Sequence, residues 1–262
     1  MDLPEVFETK FELQATHLIG LFFALGLTVG FASGTTFKDL TAPRIATSDT
    51  PQPDTGSETD TNSGTLDLSN INNSRDPVLG QEDAEVTMVI YEDFECPFCK
   101  RFESGAVPQI ENNYVRSGEV KIVWKDFPLQ RIHPWATRAA ETAECVYRQD
   151  EEAFWNVKDT VFDNQESLSE SNVVEKIKGW ASEEDVSPSA VQSCLDNGNP
   201  RDAVRDDMEE ATSFDTMVGG NSFVSGTPSV VIYSEGDQRG EPLVGAQPYS
   251  AVKQVIESKL GQ

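Results

Sequence analysis

Residues 85–103 read Glu85-Val86-Thr87-Met88-Val89-Ile90-Tyr91-Glu92-Asp93-Phe94-Glu95-Cys96-Pro97-Phe98-Cys99-Lys100-Arg101-Phe102-Glu103, and the fold turns on how this stretch divides. Its first half, residues 85–91, is a short apolar run rich in β-branched residues and predicts a buried strand. From Pro97 to about residue 116 the pattern is helical, with Pro97 in the first turn, where no amide donor is missed. Cys96 and Cys99 therefore fall at a helix start, three residues apart, close enough to bond to each other. Unsatisfied backbone N–H groups and the positive end of the helix dipole favour a thiolate at the first of them. A thiolate attacks disulfides where a thiol does not. The motif predicts Cys96 as nucleophile and Cys99, one turn inside, as resolving thiol. A structural staple or half of a metal site is the competing reading of an isolated CxxC.

Working outward, residues 120–124 (Val-Lys-Ile-Val-Trp) predict a second strand, so strand, helix and strand form a βαβ unit with a parallel pair. Helical patterning then runs from about Trp135 to Met217. Residues 229–233 return to strand, a turn at 235–240 and Pro242-Leu243-Val244 predict a hairpin, and residues 250–260 predict a closing amphipathic helix. Gly226-Thr227-Pro228 immediately precedes the returning strand, a place where proline marks a shaped turn. The helical block carries Cys145 and Cys194. His133 is isolated, so no Cys2His2 zinc pattern is met, although distant cysteines could converge on zinc. No metal and no cofactor is assigned.

The N-terminal part is of another kind. Residues 1–37 contain an uncharged run, 13–37, long enough at ~1.5 Å per residue to cover a ~30 Å hydrocarbon core. The acidic residues before it are a poor leader for a cleaved signal peptide, so a retained single-pass transmembrane helix is expected, with the signal peptide as alternative. Residues 38–76, rich in Ser, Thr, Asp and Pro, predict a disordered tether. The folded domain is expected over 77–262, with a helical insertion at about 134–218. Across the chain, 45 Asp and Glu stand against 20 Lys and Arg, a net charge of −25. This balance argues against nucleic acid as a partner. It also points to a halophilic source, where concentrated salt screens self-repulsion.

Three motifs in order carry a resemblance: the run from Tyr91 to Lys100, then Lys125-Asp126-Phe127-Pro128-Leu129 with His133-Pro134, and Ser225-Gly226-Thr227-Pro228-Ser229. Over residues 77–262 the chain resembles the DsbA-like branch of the thioredoxin superfamily. The resemblance implies an α/β thioredoxin-like fold with an inserted helical domain. It implies a cis proline at Pro228 packed against the redox pair, and Thr227 offering backbone hydrogen bonds to an extended substrate, with Phe98 adding apolar surface. It also implies a disulfide between Cys145 and Cys194, against two separate buried thiols. One departure stands out: where such proteins carry a buried proton-relaying acid six residues before the first cysteine, this chain has Ile90. Asp93 is the substitute read from the sequence, and acids so close to the pair are expected to raise the pKa of Cys96.

The activity implied is thiol:disulfide exchange on reduced or unfolded secreted proteins, at the cell membrane with the catalytic domain extracytoplasmic. A membrane quinone-linked partner would reoxidise it. The same chemistry run backwards as reductase or isomerase, and a non-catalytic thioredoxin-like binding module, are the alternatives.

Overall fold

The computed structural model describes residues 65–197, 199–214 and 223–261. The expected anchor, the tether up to residue 64 and the end of the insertion at 215–218 lie outside the described residues. Among those described, no helix is long and apolar enough to cross a membrane.

The strands are β1 (Leu66–Asp67), β2 (Val78–Leu79), β3 (Val86–Glu92), β4 (Val120–Asp126), β5 (Ser229–Ser234) and β6 (Arg239–Val244), in the sheet order β1-β6-β5-β3-β4-β2. β3 is parallel to β4 and antiparallel to β5. Its seven residues are all buried, because helices cover both faces of the sheet, which explains an apolar run without strict alternation. On one face Val86, Met88 and Ile90 join the core containing Cys96, Cys99 and Phe102, while Val89 and Tyr91 face the opposite core with Phe127, Phe214 and Phe223.

The helix after the cysteines is not continuous. α1 (Pro97–Gly105) gives way at Ala106 to α2 (Val107–Ile110) and then to a π-helical turn, Glu111–Val115. Pro108 is the cause: it lacks the N–H that would bond back one turn, and its ring crowds the backbone before it. The strands extend slightly beyond their expected ends, and β5 and β6 form the hairpin, turning through Gly236 at φ +85°.

The folded body begins before Pro77. β1 pairs with β6, the Trp124 N–H donates to Pro77 O, and Asp76 lies 2.6 Å from Lys125 Nζ. The polar composition that reads as tether at 65–76 hides Leu66 in the core and Asp76 in an ion cluster.

The insertion comprises α3 (Ala136–Tyr147), α4 (Glu151–Asp163), α5 (Val173–Glu183), α6 (Pro188–Asp196) and α7 (Asn199–Ser213); α8 (Tyr249–Lys259) closes the chain. Asp150 caps α4 by accepting the Ala153 N–H at 2.9 Å. Trp135, Phe154, Trp155 and Phe162 pack in the core that the insertion shares with one sheet face, whereas Phe127 packs in the core of the other face. A disulfide joins Cys145 on α3 to Cys194 on α6 across 49 residues. With both sulfurs bonded, these cysteines cannot complete a four-cysteine zinc site. Closing a loop of that length restricts the unfolded chain by about 4 kcal/mol in the chain-entropy treatment. A Cys145→Ser/Cys194→Ser variant is therefore expected to unfold at markedly lower urea with the active-site thiols intact. An unchanged midpoint would refute this.

Candidate active site

β3 ends at Glu92, and the next three residues turn the chain into α1. Asp93 builds that turn: its carboxylate accepts the Glu95 N–H at 2.7 Å and its carbonyl accepts the Cys96 N–H at 3.0 Å. Cys96 is left as the residue capping α1, extended at φ −73° and ψ 122°, with Pro97 next. Across from it lies the Thr227–Pro228 turn, whose peptide bond is cis. Cys96 Sγ is 3.4 Å from Thr227 O.

The two thiols sit in opposed environments. Cys96 is lowered to about 6, first by a hydrogen bond from the Cys99 thiol, with burial opposing, and then by the Thr227 side chain and the Cys99 and Phe98 N–H groups. The Thr227 hydroxyl is buried and has no other partner. Cys99 is pushed well above the usual thiol value, chiefly by burial, then by its hydrogen bond to Cys96 and the charge of Glu92. The expectation that neighbouring acids raise Cys96 is thus corrected: the carboxylate acts on Cys99, and donors outweigh burial at Cys96. The reduced protein should show a thiolate ultraviolet absorbance titrating with a midpoint near 6 and fall silent below it. A midpoint above about 8, the free-thiol range, would contradict this assignment.

Asp93 is buried beside the turn, but its carboxylate is committed: besides Glu95, it accepts the Leu129 N–H at 2.7 Å and pairs with His133 Nδ1 at 2.7 Å. His133 thereby ties the loop after β4 to the active-site turn. The acid that faces the cysteine pair is Glu92. It is completely buried, and neither carboxylate oxygen has a hydrogen-bond donor. Burial first, then the charge of Glu103, holds it well above the ordinary carboxylate range. Beside it Lys158 Nζ bonds Glu103 and lies 3.0 Å from the exposed Asp159, so this ion pair leads from the buried acid toward solvent. Strand parity could have found it: Glu92 is two residues from Ile90 and shares its face.

Two further residues escaped the sequence reading. Glu95 Oε2 accepts the N–H groups of Trp135 and Ala136 at 2.7 and 3.1 Å, fastening the start of α3. Gln165 Nε2 donates to Phe94 O at 2.8 Å and Cys96 O at 3.1 Å, fastening the turn after α4. Phe98 stands 53 % exposed with the Arg101 guanidinium 5.0 Å from its ring centre. Cys145 and Cys194 lie in the insertion, away from this cluster. Among the described residues no group of His, Cys, Asp and Glu side chains is arranged to hold a metal ion.

Comparison with known proteins places this geometry. A family profile described as Thioredoxin matches residues 72–242. The chain is 32 % identical over 152 residues to Na(+)/H(+) antiporter NhaA 1 of Mycolicibacterium vanbaalenii, a match that takes in 58 % of this chain and 24 % of that protein. It thus spans about a quarter of the length of that relative. It is 28 % identical over 184 residues to the probable disulfide bond formation protein D of Bacillus cereus, covering 64 % of this chain and 80 % of the relative. Among solved structures, BdbD from Bacillus subtilis superposes with a TM-score of 0.60 at 23 % identity, covering 76 % of this chain and 97 % of that one. Wolbachia pipientis alpha-DsbA1 gives 0.59 at 21 % identity, covering 71 % and 91 %. Both likenesses concern the fold.

Proposed function

This chain belongs to the thioredoxin family, and on that premise we propose that the protein is a DsbA-like thiol:disulfide oxidoreductase that introduces disulfides into reduced extracytoplasmic polypeptides. The observation that carries the reading is the division of labour between the thiols, one lowered to about 6 and one held protonated. A substrate thiolate attacks Cys96 Sγ of the Cys96–Cys99 disulfide, and the pair of electrons leaves on Cys99, which takes a proton. A second substrate thiolate then attacks the substrate sulfur of the mixed disulfide and expels Cys96 as a thiolate. The substrate loses two electrons and the protein gains them. Stabilising that leaving thiolate favours the reduced protein, and so disulfide donation.

In this reading Glu92 is the proton acceptor and donor for Cys99. Thr227 O and the cis Pro228 turn bind the substrate backbone, with Phe98 as an apolar contact. A membrane quinone-linked partner reoxidises the pair. Residues 1–37 anchor the protein, 38–64 tether it, and its excess of acid serves solvation in concentrated salt. A melting temperature that fails to rise with salt would remove that last element.

The reverse direction, reductase or isomerase, draws support from the same thiol. A value of about 6 lies nearer to thioredoxin's ~7 than to the ~3.5 of the strongest oxidants. Cys99→Ala tests the activity itself: the variant should accumulate mixed disulfides through Cys96, and a chain that traps no partner is a binding module. The reduction potential then decides direction, about 30 mV corresponding to about 1.4 kcal/mol.

A further inference from the structure

Cys96, itself buried at 3 % exposure, lies where three segments meet, residues 96–101, 127–134 and 223–228. Together they carry Lys100, Arg101, Arg131 and His133 and no Asp or Glu, in a chain with 45 acids and 20 bases. The acids next to this rim are already engaged. Glu95 fastens α3, Asp93 is buried under His133, and the exposed Glu166 pairs with Lys100 at 3.7 Å. Arg101 and Arg131 are left exposed and make no salt bridge among the described residues.

The same rim gathers apolar surface. Among the described residues the exposed large hydrophobic side chains are Phe98 at 53 %, Ile132 at 69 % and Val244 at 45 %. Phe98 lies between the cysteines. Val244 pairs in register with Ser229, next to the cis proline, and the following Gly245 N–H donates to Pro228 O at 2.8 Å. Ile132 helps line a groove of ≈ 480 Å³ with Phe127, Pro128, Leu129 and Met208, and Arg131 and Ser225 also border it. Isolated exposed hydrophobics need no explanation; three on the segments that border the active-site turn, with guanidinium groups that make no salt bridge beside them, do.

Resting on the exchange activity proposed above, we infer that this face docks acidic polypeptide segments, in which carboxylates flank an apolar side chain close to the reacting cysteine. The groove takes the apolar side chain, and Arg101 and Arg131 meet the carboxylates, a pairing suited to the planar guanidinium fork. The charge complementarity is local. At a distance the net −25 repels an acidic partner, and only at contact, with the remote field screened, does the acid-free rim dominate.

The test uses dithiol peptides that share one leucine and differ in their flanks: Asp and Glu, Ser, or Lys. The readout is the second-order rate of their oxidation by the disulfide form of the full protein, for wild type, Arg101→Gln/Arg131→Gln and Arg101→Lys/Arg131→Lys. Comparing proteins on one peptide cancels the effect of flanking charge on the peptide's own thiols. The glutamine variant should lose roughly threefold to tenfold on the acidic peptide relative to the serine peptide, while the lysine variant keeps most of the preference. Equal loss on both peptides, or equal loss in both variants, overturns the inference. If no peptide is oxidised by any of the proteins, the exchange activity itself fails, a distinct result.

Discussion

Lys125→Met is expected to lower the unfolding free energy by about 3–5 kcal/mol near neutral pH, the cost of stripping one partner from a buried ion cluster. The Lys125 ammonium, on a side chain only 2 % exposed, lies 2.6 Å from Asp76, 3.1 Å from Asp207 and 3.4 Å from Glu210, and it donates to Asn72 O at 2.8 Å. Two of the acids hold something else: Asp207 accepts the Asp126 N–H at 3.0 Å, and Glu210 accepts the Tyr91 hydroxyl at 2.6 Å and the Asn72 N–H at 2.8 Å. Without the cation, three largely buried carboxylates face each other beside Asp126 and Glu144, both already raised to about 7 by burial. The pH dependence has a definite sign. Carboxyl groups raised in the folded state contribute stability that is complete below their unfolded values, near 4, and is lost as pH rises through about 7. Removing the ammonium also takes away what lowers Asp76 and Asp207, so these carboxyls titrate higher in the variant than in wild type, and the deficit should shrink near pH 5 as they take up protons. Urea unfolding at both pH values decides it: a deficit below about 1 kcal/mol at neutral pH, or one independent of pH, would show that the cluster is solvated rather than buried.

The second large effect is kinetic. Glu92→Gln keeps the shape of a fully buried side chain and removes its ability to exchange a proton. Loss of a positioned acid–base group slows proton transfer by roughly 10²-fold or more when that step limits the rate. The expected result is slow attack by Cys99 on a mixed disulfide held at Cys96 at neutral pH, with the gap to wild type narrowing in alkali as hydroxide takes over. The Cys96 titration, set first by the Cys99 and Thr227 contacts, should move much less. Release as fast as wild type across the pH range would remove Glu92 from the proton path and return the role to solvent.

Much of this arrangement was legible in the chain. The strand into Cys96, the helix out of it and the proline turn before β5 follow from apolar runs, proline placement and element order, which are local signals. What was not legible depends on distant pairings. Asp93 was the acid read as closest to the pair, yet its carboxylate is taken by Leu129 and His133, 36 and 40 residues away. Among Glu92, Asp93 and Glu95 the sequence favours Asp93 over Glu92, because a charged residue at a strand end reads as surface, and only the packing of α4 over it, with Lys158, allows it to be buried. The polar stretch at 65–76 was assigned to the tether because its composition says nothing of β6 or Lys125, which hold it to the body.

The fastening of the insertion has a consequence for engineering. The Cys96 carbonyl takes Gln165 as well as the Lys100 N–H of its own helix, and the side chain just before it clamps the start of α3. The helical block is therefore not a portable module. A chimera that grafts residues 134–214 onto another scaffold of this fold leaves the start of α3 unfastened unless the recipient also supplies a glutamate at the position of Glu95. Deleting the block takes Gln165 from the Cys96 carbonyl, which keeps only the Lys100 N–H, and leaves that glutamate without the N–H groups of Trp135 and Ala136.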